Sequence, residues 1–242
     1  MSVTIKNNTI VINGKTRIGP EPGNSSPVIV TSGLGLHYDF LNGSYSGSGT
    51  TITDLSGNGR TGTTANSPSY TSSGGGYFTF DAGNKYIALP TSIFNSTAFT
   101  MEIWVYQITQ PTVGVLFASQ GSNSSGFWGI GSNSSGYFFS TYNGSTRPGL
   151  ASGTSITGAW NHVVATRNAS NFASLYVNGV LTSSGAVTTS FASTSPRLAV
   201  NPINSGERLN GRLSVFRYYT AALSDSDVLN NFNVHKTRFG IV

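Results

Sequence analysis

The stretch WNHVVATRNASNFASLYVNGV, residues 160–180, decides the fold class. Its first run, Trp160 to Arg167, is apolar-rich and full of β-formers. A polar break, Asn168 to Asn171, separates it from a second run, Phe172 to Val177. That run meets Asn178-Gly179, a pair suited to the two positive φ angles of a type I′ hairpin turn. The stretch reads as strand, loop, strand, tight turn, strand. Alternation puts Leu175 and Val177 on one face and Tyr176 on the other, so the strands are half buried.

The flanking sequence repeats this pattern. Before the stretch, strands are expected at Leu34–Leu41, Thr51–Leu55, Tyr77–Phe80, Tyr86–Leu89, Ala98–Tyr106, Val113–Ser119, Phe127–Ile130 and Gly136–Tyr142. After it come Gly185–Phe191, Arg197–Val200 and Gly211–Tyr219. In AFTMEIWVY, Met101, Ile103 and Val105 make an apolar face, while Glu102, Trp104 and Tyr106 make an aromatic, acidic one. Helix chemistry appears only near the end. Ser224 is a suitable N-cap, Asp225 and Asp227 suit the first turn, and Val228, Leu229 and Phe232 form an apolar stripe over a helix at 225–236. Short strands at about ten-residue spacing with glycine-rich turns and one terminal helix define an all-β, antiparallel two-sheet sandwich.

Residues 1–33 differ in character. Thr9, Ile10, Val11 and Ile12, the turn Asn13-Gly14, and Lys15 to Ile18 with Arg17 spell a β-hairpin. An isolated hairpin is marginal in water, so it needs a surface to pack on. Residues 19–33, GPEPGNSSPVIVTSG, have the composition of an extended linker. The chain therefore divides into an arm and linker, 1–33, and a main domain, 34–242.

Charged residues make up 9% of the 242, and aromatics 12%, which argues against disorder. No apolar run approaches the roughly 20 residues a membrane-spanning helix needs, so no membrane partner is expected. The net charge of +5 is scattered apart from a loose group, Arg208, Arg212, Arg217, Lys236 and Arg238, read as solvated surface or contacts to a neighbouring subunit. Nucleic acid is not expected as a partner without clustering on one face. With no cysteine, disulfides, thiol catalysis and cysteine-ligated zinc are excluded. The opening MSVTIKNNTI shows no apolar core of a secretory signal.

The ordered set YDF (38–40), SGSGTTITDLSGNGRTGT (46–63), FDAGNKYI (80–87), FTMEIWVY (99–106), WNHVVATR (160–167), LYVNGV (175–180) and LNGRLSVFRYYTAALSDSDV (209–228) resembles the laminin-G-like, concanavalin A-like jelly roll. The likeness covers roughly residues 34–240. The form with SGSGTTITDLSGNGRTGT and a closing HKTRFGI is similar to copies common in tailed-phage virion proteins. The resemblance implies two curved antiparallel sheets of about six or seven strands each. It does not imply one activity, since relatives include lectins, glucan hydrolases, adhesion modules and capsid or fibre parts.

Chemistry narrows the choice. Glucanases of this sandwich carry E-x-D-x-E on one strand; here Glu102-Ile103-Trp104-Val105-Tyr106 puts aromatics where the other acids would stand. His37, His162 and His235 lack a nucleophile-elbow motif and read as structural. No enzymatic activity and no required cofactor are expected. Calcium is the one metal the pattern admits, at Asp54 and Asp81 beside Gly/Asn turns; the competing reading is that both carboxylates cap those turns. Glycan binding needs aromatic platforms with nearby Asn or Arg. Trp128, Tyr142, Asn143 and Arg147, with Tyr137, supply that set, although Trp128, Tyr137 and Phe139 also suit a core.

These residues point to a non-enzymatic virion structural protein, a capsid decoration or tail or fibre appendage. Its partners would be other virion proteins or its own copies, engaged through Thr9–Ile12, Lys15 and Arg17 by strand addition, and cell-surface glycans. The alternatives are a free carbohydrate-binding module and, third, a glycoside hydrolase dependent on Glu102.

Overall fold

The computed structural model describes residues 28–94, 96–109, 112–120, 127–142, 149–153, 157–187, 193–204 and 206–242, with the backbone alone at 127 and 142 and in three strands of the arm. In the arm, Val3–Lys6, Thr9–Ile12 and Thr16–Ile18 form an antiparallel sheet in chain order. The expected hairpin is present, with Ile12 opposite Thr16. Val3–Lys6 extends it on the other side, with Val3 opposite Ile12.

The main body is a sandwich of two antiparallel sheets of eight strands each. The first sheet runs in the order Val180–Ala186, Phe172–Val177, Trp160–Arg167, Phe99–Gln107, Asn210–Tyr219, Tyr77–Asp81, Ser69–Thr71. Asn210–Tyr219 is long enough to pair twice on one edge, with Tyr77–Asp81 along its first half and Leu34–Asp39 along its second. The second sheet runs Gly149–Ala151, Gly136–Tyr142, Phe127–Asn133, Gly114–Gln120, Arg197–Leu198, Tyr86–Ala88, Gly62–Ala65, Thr51–Ile52. The expected Asn178-Gly179 turn is there, with φ of 52° and 77° as type I′ requires.

The inner faces meet in one apolar core. Met101, Ile103, Val105, Val163, Ala165, Leu175, Phe216 and Tyr218 from the first sheet meet Phe117, Trp128, Ile130, Phe139 and Leu198 from the second. Pairing of Phe99–Gln107 with Asn210–Tyr219 slips between Trp104 and Val105: Trp104 lies opposite Val215, but Val105 opposite Leu213. Ser214 is the extra residue, a β-bulge. The bulge turns Leu213 inward and Val215 outward although they are two residues apart. Ser214 Oγ is held by Gly76 O at 2.6 Å.

The outer face of the first sheet carries the helix Asp225–His235. Ser224 caps it, accepting from the Asp227 amide while the Asp227 carboxylate accepts from the Ser224 amide. Val228 packs with Val164, Tyr176, Tyr219 and Leu223, and Phe232 and Phe239 pack with Trp104 and Val215. The N-terminal approach to the body is strapped along this helix. Val28 O accepts from Asn230 Nδ2 at 2.7 Å, and the Val30 amide donates to Asn231 Oδ1 at 2.8 Å.

Candidate functional site

Trp128 is not a sugar platform. It begins an inward-facing row with Ile130, is 1% exposed, and packs against Phe99 and Phe117 at ring separations of 5.4 and 5.2 Å. Tyr137 and Phe139 are buried beside it, the core reading of these aromatics. Tyr142 closes the strand Gly136–Tyr142, but its side chain lies outside the described residues, as do Asn143 and Arg147. In the arm, Thr9, Ile10, Val11, Ile12 and Arg17 stand in paired strands, while Lys15 lies outside the described residues.

The outer face of the same strands holds a cleft of about 260 Å³, lined by Asn133, Phe138, Ser140, Gly149, Leu150 and Ala151. Its walls are cross-strand neighbours: Ser140 faces Gly149 and Phe138 faces Ala151. Gly131 lies opposite Phe138, and a Cβ there would sit 2.6 Å from the Phe138 ring, so only glycine lets that ring occupy its place. The strands enclosing the cleft, Gly136–Tyr142 and Gly149–Ala151, are joined through residues 143–148. Tyr142 ends the first of these strands, and Asn143 and Arg147 lie outside the described residues. An apolar ring beside a hydroxyl and an amide suits a small polyhydroxylated ligand. At 260 Å³ the space is below the roughly 300–1,000 Å³ of drug-sized pockets. None of the six lining residues is ionisable.

The carboxylate with the strongest claim to chemistry is elsewhere. Glu102 is 1% exposed, beneath the helix. Arg217, its direct cross-strand neighbour, donates Nη1 to Glu102 Oε1 at 2.5 Å, and Asn231 donates Nδ2 to Oε2 at 2.8 Å. His162 Nε2 lies 3.1 Å from Oε1. Burial alone would push the Glu102 pKa up, but the Arg217 charge and the His162 and Asn231 contacts hold it well below the usual carboxylate range. Arg217 also donates Nη2 to His235 Nε2. Burial and the Arg217 charge lower His235 to about 3, and the same two causes lower His37 to about 4. Arg217, expected at the surface, is thus at the centre of a buried network fastening the helix to the sheet. Arg238 joins the same face by donating to Asp39 Oδ2 at 2.8 Å.

Asp54 and Asp81 behave as turn caps. Asp54 Oδ1 accepts from the His37 and Ser56 amides at 3.0 and 2.9 Å, and Oδ2 from Ser56 Oγ and the Arg60 amide at 2.8 and 3.0 Å. A carboxylate has about four lone-pair positions, and all are used. Burial raises the Asp54 pKa, but these bonds lower it further than burial raises it. Asp81 accepts from the Gly83 amide and from Lys85 Nζ. Among the described residues no three His, Asp or Glu side chains gather as a metal site, and the four donors on Asp54 leave its carboxylate no lone pair for a calcium ion.

Residues 81–229 match the family described as the concanavalin A-like lectin/glucanases superfamily, Laminin_G_3. This is well over half of the chain, and the chain belongs to that family. No curated protein sequence matches it. Among solved structures it is similar to domain 4 of AbnA, a GH43 extracellular arabinanase from Geobacillus stearothermophilus, in complex with arabinotriose. That likeness has 21% identity and a TM-score of 0.69, over 82% of this chain and 97% of that one. It is also similar to the botulinum neurotoxin type G receptor binding domain, at 16% identity and TM-score 0.65, over 84% of this chain and 52% of that one. A structure concerning botulinum neurotoxin type C and two ganglioside molecules matches at 18% identity and TM-score 0.67, over 84% and 51%. The chain spans about half the length of these toxin chains. At such identities the likeness concerns the fold, a lectin-like sandwich.

Proposed function

We propose that this protein is a non-enzymatic structural component of a tailed-phage virion, displaying a lectin-like sandwich that binds host-surface glycans through the cleft at Phe138 and Ser140. The observation that carries the glycan reading is the cleft itself: an aromatic ring, a hydroxyl and an amide, with no ionisable side chain among its described lining residues. It is a site for binding rather than turnover. Two structural neighbours are described with arabinotriose and with gangliosides, which supports a sugar as the ligand class. The buried pairing of Glu102 with Arg217 supports a structural role for that acid. The virion setting rests on the sequence: the motif variant, the absence of cysteine and the arm of residues 1–33.

A glycan array on the purified protein tests the cleft. Binding of neutral glycans is expected, and Phe138→Ala should abolish it without altering the melting temperature. No neutral hit, or neutral hits indifferent to Phe138→Ala, would refute the cleft. Docking is tested separately, since a protein lacking the arm should fold but not enter particles; normal incorporation would refute docking. One observation favours a second reading, a carbohydrate-binding module working within a larger enzyme: the match extends over 97% of the arabinanase domain.

A further inference from the structure

The helix and the C-terminal tail cover only part of the first sheet's outer face. Beyond the Ser214 bulge, that face carries a row of direct cross-strand neighbours: Thr79 opposite Arg212, Arg212 opposite Tyr106, and Tyr106 opposite Trp160. Tyr77 stands beside the row. All five side chains are half-buried, reaching solvent on one side. The Arg212 guanidinium carbon lies 4.9 Å from the Tyr77 ring centroid and 4.8 Å from that of Tyr106. Trp160 sits 5.8 Å from both tyrosine rings, at interplanar angles of 59° and 68°, so the aromatics form a cup rather than a flat floor.

Arg212 is the unusual member. The ion pairs among the described residues use Lys85, His162, Arg217 and Arg238, not Arg212. Its Nε is shielded from solvent with no hydrogen-bond partner. Fixing an arginine costs side-chain conformational entropy, and two rings here hold it in place with no acceptor to receive its donors. A clamped guanidinium is prepared for a planar anion, because its fork matches a carboxylate with two parallel hydrogen bonds. The adjoining aromatic faces suit the C–H surface of a sugar ring.

We infer that this cup, Tyr77, Tyr106, Trp160 and Arg212, is a second binding site, separate from the Phe138 cleft, for a carboxylate-bearing sugar of an acidic glycan. Charge complementarity selects that occupant. One cation answers one carboxylate, whereas a nucleic-acid strand needs several phosphates neutralised. Four side chains are also far too few for a stable protein interface, which buries about 800 Å² per partner.

The test uses the full chain with 3′-sialyllactose and trigalacturonate as acidic probes, lactose as the neutral control, and a thymidine oligonucleotide. Binding is followed by NMR titration. At least one acidic probe should bind in the millimolar range or tighter and at least tenfold more tightly than lactose. Arg212→Met and Trp160→Ala should each weaken it tenfold or more, and Phe138→Ala should leave it unchanged. Arg212→Lys, which keeps the charge and loses the fork, should weaken it severalfold with the melting temperature retained, separating recognition from misfolding. Equal binding of lactose, preference for the oligonucleotide, indifference to both Arg212 substitutions, or no acidic probe bound would overturn the site. Loss of acidic binding in Phe138→Ala would assign it to the cleft and also overturn the cup. Failure of the cleft on neutral glycans leaves these outcomes unaffected.

Discussion

Acid should loosen this protein well before its carboxylates titrate. His235 Nε2 accepts a hydrogen bond from Arg217. Accepting needs a lone pair on that nitrogen, so the ring is neutral with its proton on Nδ1. Protonation would remove the acceptor and place a second cation against Arg217. Around His235 stand Arg217, Glu102, Asp39 and Arg238; around His37 stand Arg217, Asp39, Glu102 and Asp54. The net result is a folded-state pKa of about 3 for His235 and about 4 for His37, against an ordinary 6.5. Between pH 6.5 and 4 the unfolded chain binds protons that the folded chain refuses, so stability falls as pH falls through that window. At pH 5.5 each histidine costs about 1 to 1.5 kcal/mol, roughly 2 to 3 kcal/mol for the pair. At about 2–4 °C per kcal/mol for a domain of this size, the melting temperature should drop by roughly 4–12 °C between pH 7.5 and 5.5. Glu102, Asp39 and Asp54 have lowered pKa values, so their stabilisation is lost only below the ordinary carboxylate range, and pH 5.5 isolates the histidines. Calorimetric scans at both pH values check this, with His235→Gln beside them. Glutamine can still accept from Arg217, and about half the acid sensitivity should vanish. Identical melting at the two pH values, or an unchanged drop in His235→Gln, would refute the reasoning.

Glu102→Gln should destabilise by about 3–5 kcal/mol in a urea titration, because it leaves Arg217 buried without a counter-charge. Asn231→Ala should cost about 2–3 kcal/mol, read the same way, since one amide serves Glu102, Tyr219 Oη and the Val30 amide. Truncation before Val28 should leave the melting temperature of the body unchanged, whereas truncation before Leu34 should lower it by several degrees, because Val28 and Val30 are strapped to the helix. Gly179→Ala should destabilise by about 1 kcal/mol or more, because its φ is positive and a Cβ would stand 3.1 Å from Leu229 and Phe232.

The strands whose alternation or β-former content was strong were legible: Phe99–Gln107, Trp160–Arg167, Phe172–Val177 and Asn210–Tyr219 all lie where the pattern places them, within a residue. The short ones were not. Gly62–Ala65, Ser69–Thr71 and Gly149–Ala151 are three or four residues long with at most one large side chain each, and their pairing is dictated by neighbours rather than by local preference. Trp128 was misplaced although a signal existed. In Phe127-Trp128-Gly129-Ile130-Gly131, large apolar residues alternate with glycines, which assigns tryptophan to the core face. The Glu102–Arg217 pair and the Arg212 cup were out of reach, since each depends on the register of strands about a hundred residues apart.

The bulge at Ser214 lets a single strand serve opposite masters. Had the pairing run without interruption, Arg212 and Val215 could not both face outward, and the guanidinium would enter the sandwich. Deleting this one serine would therefore exchange inside and outside along half of Asn210–Tyr219, and either the core or the cup would be forfeited. One extra residue thus divides the ten-residue strand Asn210–Tyr219 into a scaffold half, closed over by the helix, and a half left open to whatever it meets.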